Sequence, residues 1–459
     1  MRQSDPYPRS RATEPGVHRE ILRLAVPAFL TLVTEPLFLL ADAAIVGHLG
    51  TAPLAGLGVA AAVLQTVVGL CVFLAYGTTA AVARRVGAGD ERAALAQGID
   101  GLWLATLIGA GVTVAGVLLA GPLVDLFGAG PEVADPATTY LRIAFLGTTP
   151  LLLVLASTGV LRGLQDTRTP LVVAVLGNGL NIVLNLLLVY GAGPVPGLGL
   201  AGSAWGSVAA QTAAAAALVG VVAVAARRAG APWTPDLPGV RLAARAAVPL
   251  VVRTLTLRAA LLLTTYAVVL AGSDTDEAVR LATHQLALTT WTFLAFALDA
   301  IAIAAQAITG RHLGAGDTAR TRAATDLMVR WGLGCGVLTG VLLAAASPLL
   351  GPLFTPDAAV HDLLVPVLVV AALGQPAAGV VFVLDGVLIG AGDLRYLAWG
   401  GVLTVVAYAP ALLLAVTLGG GVVAVWAVFA FVFMGARLVV LVHRVRGDAW
   451  LVTGATRPA

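Results

Sequence analysis

Apolar residues fill this chain in long blocks, broken at intervals by Gly, Pro and Asp. The blocks run over 21–47, 55–83, 94–121, 138–162, 169–190, 200–226, 243–270, 282–308, 322–348, 361–388, 394–417 and 421–444. Each reaches the roughly 20 residues that a helix needs to cross the hydrocarbon core of a bilayer. That core holds no water to take up backbone hydrogen bonds, so a helix satisfies the chain there. The breaks carry turn chemistry. The pattern predicts an all-α membrane protein of twelve transmembrane helices, with polar tails at 1–20 and 445–459 and the lipid bilayer as its surroundings.

Composition and charge sharpen this picture. Hydrophobic residues make up 59% of the 459 and charged residues 11%, against about 25% charged in a soluble domain. All 27 basic residues are arginines. They gather in alternate connections: Arg84, Arg85 and Arg92 after span 2, Arg162 and Arg168 after span 4, Arg311 and Arg320 after span 8, Arg395 after span 10. Arg227, Arg228, Arg241 and Arg245 lie in the central connection, and more arginines lie at both ends; Arg280 is the exception. The positive-inside rule then places both termini in the cytoplasm of a protein of the cytoplasmic (inner) membrane. The basic residues serve orientation, so no nucleic-acid partner is expected. Cys71 and Cys335 both lie inside apolar blocks, which argues against a disulfide framework or a cysteine metal site. No cleavable signal peptide is expected, because the first apolar run is long and no small-residue cleavage site follows it. The chain has no HExxH, no CxxC and no Ser-His-Asp arrangement, so no enzyme, catalytic residue or cofactor is expected.

The chain also repeats itself. Val86-Gly87-Ala88-Gly89-Asp90 matches Leu313-Gly314-Ala315-Gly316-Asp317 at an offset of 227, and Gly159 to Asp166 matches Gly386 to Asp393 at the same offset. Ala25-Val26-Pro27 matches Ala247-Val248-Pro249 at 222. A constant offset across separate landmarks signals duplication. Each copy holds an even number of spans, so the copies are parallel repeats, as in many secondary transporters. This divides the chain into an N-lobe at 21–226, a linker at 227–242 and a C-lobe at 243–444, enclosing a central cavity.

Polar residues inside the spans mark the candidate chemistry. An acid at the centre of a span costs very roughly 2.5–3.5 kcal/mol on insertion scales and is usually functional. Span 1 carries two, Glu35 and Asp42, seven residues apart and so near one helix face. Pro27 and Pro36 make the same helix bendable. Span 5 sets Asn178, Asn181 and Asn185 along one face. Counting from the helix ends gives an outer tier of Asp42, Asn185 and Ser207 and a middle tier of Glu35 and Asn178, with Asn181 between. Such oxygens can hold Na⁺, and a desolvated carboxyl can hold a proton. The C-lobe does not repeat this cluster: Leu257, Tyr408 and Leu412 stand in place of Glu35, Asn181 and Asn185. Equal depth instead predicts a pair or gate between Arg253 and Asp299. Arg258, His284, Gln285 and Asp385 are weaker cavity candidates, with Asp385 expected to be structural.

Twelve spans in two lobes, the Asp and Val-Gly-His of span 1, the paired RRVGAGD and GRHLGAGD loops, and LRGLQDTRTP after span 4 resemble the multidrug and toxic compound extrusion (MATE) family. The second lobe, with LDGVLIGAGD, is similar to its DinF-like branch. The resemblance implies H⁺- or Na⁺-coupled antiport of amphipathic or cationic organic compounds, by alternating access. It implies coupling at Asp42, Asn181 and Ser207. The chain departs at Asn185, where many members carry a second Asp, and at Ser207, where Thr is common, which leaves the ion and the stoichiometry open. A lipid-linked-precursor flippase and a passive channel are the alternatives, and a monomer is expected.

Overall fold

The computed structural model describes residues 14–194, 196–272 and 276–456. Most of the N-terminal tail and the acidic loop around Ser273 therefore lie outside the described residues. The first lobe is built from α1 (Glu14–Gly47), α2 (Thr51–Cys71), α3 (Phe73–Gly87), α4 (Glu91–Asp125), α5 (Pro131–Leu146), α6 (Thr148–Gly163), α7 (Arg168–Tyr190) and α8 (Leu200–Arg228). The second comprises α9 (Leu237–Leu270), α10 (Glu277–Gly314), α11 (Thr318–Phe354), α12 (Ala358–Gly390), α13 (Leu394–Thr417), α14 (Val422–Ala427) and α15 (Met434–Arg446). A π-helical turn, Val428–Phe433, joins α14 to α15 in one span. The α2–α3 pair likewise makes one span, and α5 and α6 meet at a 45° bend. Eleven spans pass on length and composition, and the bent pair brings the total to twelve.

The duplication is written into backbone geometry. Asp90 caps α4 by accepting from the Ala93 amide at 2.8 Å, and Asp317 caps α11 through the Arg320 amide at 2.8 Å. Each cap satisfies an amide left unpaired at a helix start. Gln165 has φ 64° and its counterpart Gly392 has φ 69°. The turn after span 4 therefore needs a left-handed residue in both copies, and glycine supplies it without strain only in the second.

The lobes meet most closely at the arginine-rich side. There the ends of α3 and α10 cross through Gly87 and Gly314, each lying against backbone of the other lobe, at Arg311 and Arg84. The Arg84 guanidinium donates to the Ala391 carbonyl at 3.0 Å and to the Val452 carbonyl at 2.6 Å. Residues 448–454 thus pack under the crossing, with Trp450 fully buried and the Gly454 amide donating to the Leu313 carbonyl at 3.0 Å. Arg311 binds Gln165 and lies 3.3 Å from Glu20 of α1. The connection between lobes rests on α4: Trp103 donates to the Trp233 carbonyl at 3.2 Å, and Asp100 accepts from the Asp236 amide at 3.1 Å. Further into the bundle, Ala28 and Phe29 of α1 pack on Ala300 and Ile303 of α10.

Candidate functional site

Glycines on α8 set the geometry of the first-lobe site. Gly202 lies against the Leu188 carbonyl and Gly206 against the Asn185 side chain, so α7 and α8 approach with no side chain between them. Small residues four apart permit this close packing in membrane helices. The approach brings the polar residues of α1, α7 and α8 into one buried cluster.

Asp42, Asn181, Asn185, Ser203 and Ser207 are all buried. Asn185 Nδ2 donates to Asp42 Oδ1 at 2.8 Å, and the Ser203 hydroxyl donates to the same oxygen at 2.5 Å. One turn deeper, Asn181 Nδ2 donates to Ser207 Oγ at 3.0 Å. Tyr140 of α5 turns its hydroxyl toward Ser203 and Ser207. The amide oxygens of Asn181 and Asn185 are buried and accept no hydrogen bond from the described residues, that of Asn185 lying against Gly206. A buried acceptor left empty costs about 1–3 kcal/mol.

The sequence expectation brings Asp42 to Asn185 as observed, but it places the wrong serine on the carboxylate. Ser207 holds Asn181, and Ser203, one turn nearer the helix start, holds Asp42. Ser203 and Tyr140 are absent from the set that depth and resemblance select. The spacing of Ser203 and Ser207, four apart on one face, is the signal that includes Ser203. The middle tier also differs. Asn178 Nδ2 donates to the Thr34 carbonyl at 3.1 Å, not to Glu35. Glu35 has no hydrogen-bond partner among the described residues. Its side chain is exposed. Pro27 and Pro36 both lie within a single continuous helix.

The second-lobe counterpart of this site is neutral and self-satisfied. Thr264, which matches Asp42 at the 222 offset, shares a 2.7 Å hydrogen bond with the Tyr408 hydroxyl, and both are buried. Among the described residues no carboxylate bonds this pair.

The expected Arg253–Asp299 pair does not form. Arg253 instead binds Asp385 through two nitrogens, with the Nε contact at 3.2 Å, and Arg437 reaches the same carboxylate at 3.4 Å. The carboxylate of α12 faces α9, and that of α10 turns to the other lobe. Asp299 accepts from the Tyr76 hydroxyl of α3 at 3.2 Å, with Arg162 and Arg253 in electrostatic reach. Asp385 thus belongs to a buried charge cluster. Arg258 reaches across the lobes to lie on Gly69 of α2. His284 is buried, bonds the Thr265 hydroxyl at 2.9 Å and packs on Trp426. Gln285 is exposed.

Two lobes of membrane-spanning helices, with a buried carboxylate that no arginine holds in the first and an arginine-held one in the second, fit a multi-pass membrane transporter. The MatE family model matches residues 27–187 and 254–411, and the chain belongs to that family. It is 32% identical over 452 residues to "Probable multidrug resistance protein NorM" of Bradyrhizobium diazoefficiens, covering 93% of this chain and 92% of the relative. It is 35% identical over 178 residues to "DNA damage-inducible protein F" of Escherichia coli, covering 38% of each, in keeping with the DinF-like resemblance. Its fold matches a MOP superfamily transporter from Pyrococcus furiosus with a TM-score of 0.84, at 21% identity and covering 95% and 96% of the two chains.

Proposed function

We propose that the protein is a cation-coupled exporter of amphipathic or cationic organic compounds, working by alternating access in the cytoplasmic membrane with both termini in the cytoplasm. One observation carries the coupling: the buried Asp42 carboxylate is held by Asn185 and Ser203 with no basic side chain on it among the described residues, and the Asn181 amide oxygen on the same helix as Asn185 accepts no hydrogen bond from them. A buried charge needs compensation. Na⁺ would take the carboxylate, the serine hydroxyls and a reoriented amide oxygen as ligands, and a proton would neutralise Asp42 directly. Either cation is transported, so both are substrates in this reading. The neutral Thr264–Tyr408 pair supports confining this to the first lobe.

Coupling needs two conformers that bind the cation with different affinity. A tenfold difference supplies about 1.4 kcal/mol, so the conformers must be close in energy. α1 carries Asp42, Glu35 and both prolines, and its bending would link ion occupancy to cavity shape. The tight crossing at Gly87 and Gly314 fits a conformer shut on the cytoplasmic side. A flippase reading loses support because Arg253 is held by Asp385 and Arg258 lies on Gly69 of α2. A channel reading is disfavoured by that shut side and by the one-sided site.

The test is efflux of a cationic dye from proteoliposomes under an imposed H⁺ or Na⁺ gradient. Export should follow one gradient and be lost in Asp42→Asn with the protein still inserted. Wild-type export by that variant would remove the coupling assignment.

A further inference from the structure

A groove of about 750 Å³ runs along the seam between the lobes, between α1 on one side and α10 and α11 on the other. Its walls are apolar: Leu22, Val26 and Phe29 on α1, with Leu327 and Leu338 on α11. At its arginine-rich end the character changes. Trp331 Nε1 donates to His18 Nδ1 at 2.9 Å, joining the two walls. Arg330 lines the groove beside them, is exposed, and has no acidic partner among the described residues. Asp326, one turn away on the same helix, is also exposed and forms no ion pair with it. Arg19 and Arg23 add exposed cations on α1.

From His18 to Phe29 is eleven residues, or about 16 Å along a helix. That is close to one leaflet of a hydrocarbon core about 30 Å thick. The mouth joins an indole, favoured at the membrane interface, to an unpaired guanidinium, suited to phosphate. We propose that this groove binds an anionic phospholipid from the leaflet on the arginine-rich side, its phosphate at Arg330 and one acyl chain along α1. Basic pockets between membrane helices suit such headgroups. A zwitterionic lipid would fill the apolar length equally but bring its own cation to Arg330. Because α1 and α11 belong to different lobes, the bound lipid would bridge the seam.

Gly334 gives a clean way to test this. It lines the groove, and a β-carbon there meets nothing within 4 Å. Gly334→Phe therefore fills the groove without a clash at its own β-carbon. The full chain would be purified in detergent, offered equal phosphatidylglycerol and phosphatidylcholine, and read by native mass spectrometry for retained lipid. Wild type should retain phosphatidylglycerol with about a fivefold preference, the effect of one basic side chain at an anionic headgroup. Arg330→Gln should lose the preference but keep lipid, and Gly334→Phe should lose the retained lipid whatever its headgroup. Arg395→Gln, on the same side but away from the groove, should match wild type. Absence of preference in the wild type, or its survival in both groove variants, overturns the proposal. Asp42→Asn should retain lipid as wild type does, so this result and the coupling result stand apart.

Discussion

Adding one methyl at Gly87 or Gly314 should pry the lobes apart on the arginine-rich side. A β-carbon at Gly87 would come within 2.7 Å of the Arg311 carbonyl carbon and 2.9 Å of its Cα, and closer still to the carbonyl oxygen. At Gly314 the same distances to Arg84 are 2.8 and 3.0 Å. Comfortable carbon contacts begin at about 3.5 Å, and the carbonyl oxygen is nearer than the carbon, so the helices must retreat by about 1 Å or more. The obstacle is backbone, which cannot rotate away as a side chain can. Overpacking of this kind costs about 1–3 kcal/mol. In the proposed alternating cycle, the cost falls only on the conformer in which α3 and α10 cross. It should therefore move the ratio of closed to open molecules about 5- to 150-fold. Spin labels on cysteines replacing Arg92 and Ala319, both exposed, would report the separation in a background lacking Cys71 and Cys335. Gly87→Ala and Gly314→Ala should each add a longer-distance population. A lowered melting temperature with an unchanged distance distribution would mean that the crossing yields without opening, and the reasoning would fail.

Ser203→Ala removes a hydrogen bond to a carboxylate, typically about 1.5–3 kcal/mol. Cation-dependent thermal stabilisation should weaken accordingly and return in Ser203→Thr; equal loss in Ser207→Ala alone would point to the wrong serine. Gly206→Ala places a methyl on the Asn185 side chain and should abolish coupled transport, read in proteoliposomes, while insertion survives. Asp385→Ala strands Arg253 and Arg437 in the bundle and should destabilise by about 3–5 kcal/mol in detergent melts. Arg253 and Asp385 should show strong coupling in a double-mutant cycle, well above that of Arg253 and Asp299, which share no direct bond.

Much of this architecture is legible in the chain because lipid imposes a coarse rule: apolar blocks of one length must be helices. The duplication is legible because turns and close crossings demand glycine and capping Asp at fixed offsets, as at Gly87, Gly314, Asp90 and Asp317. Asp42 and Asn185 are legible because few acids and amides are tolerated at that depth. Depth along a helix follows from counting, but azimuth about its axis depends on how neighbours pack. That is why Arg253 meets Asp385 and not Asp299, and why Ser203 displaces Ser207 at the carboxylate. The Tyr140 hydroxyl gave no such signal, because a tyrosine in an apolar span reads as packing.

The segment under the α3–α10 crossing has a further use. Its Gly454 amide is tied to the Leu313 carbonyl of one lobe, and two residues earlier the Val452 carbonyl is tied to Arg84 of the other. The lobes cannot part there while both bonds persist. Lobe separation must break the Gly454 bond, so deuterium uptake at that amide sets an upper limit on how often the crossing opens. If the proposed alternation occurs, a change in that uptake on adding substrate or a gradient would reveal it, without a label or an engineered cysteine.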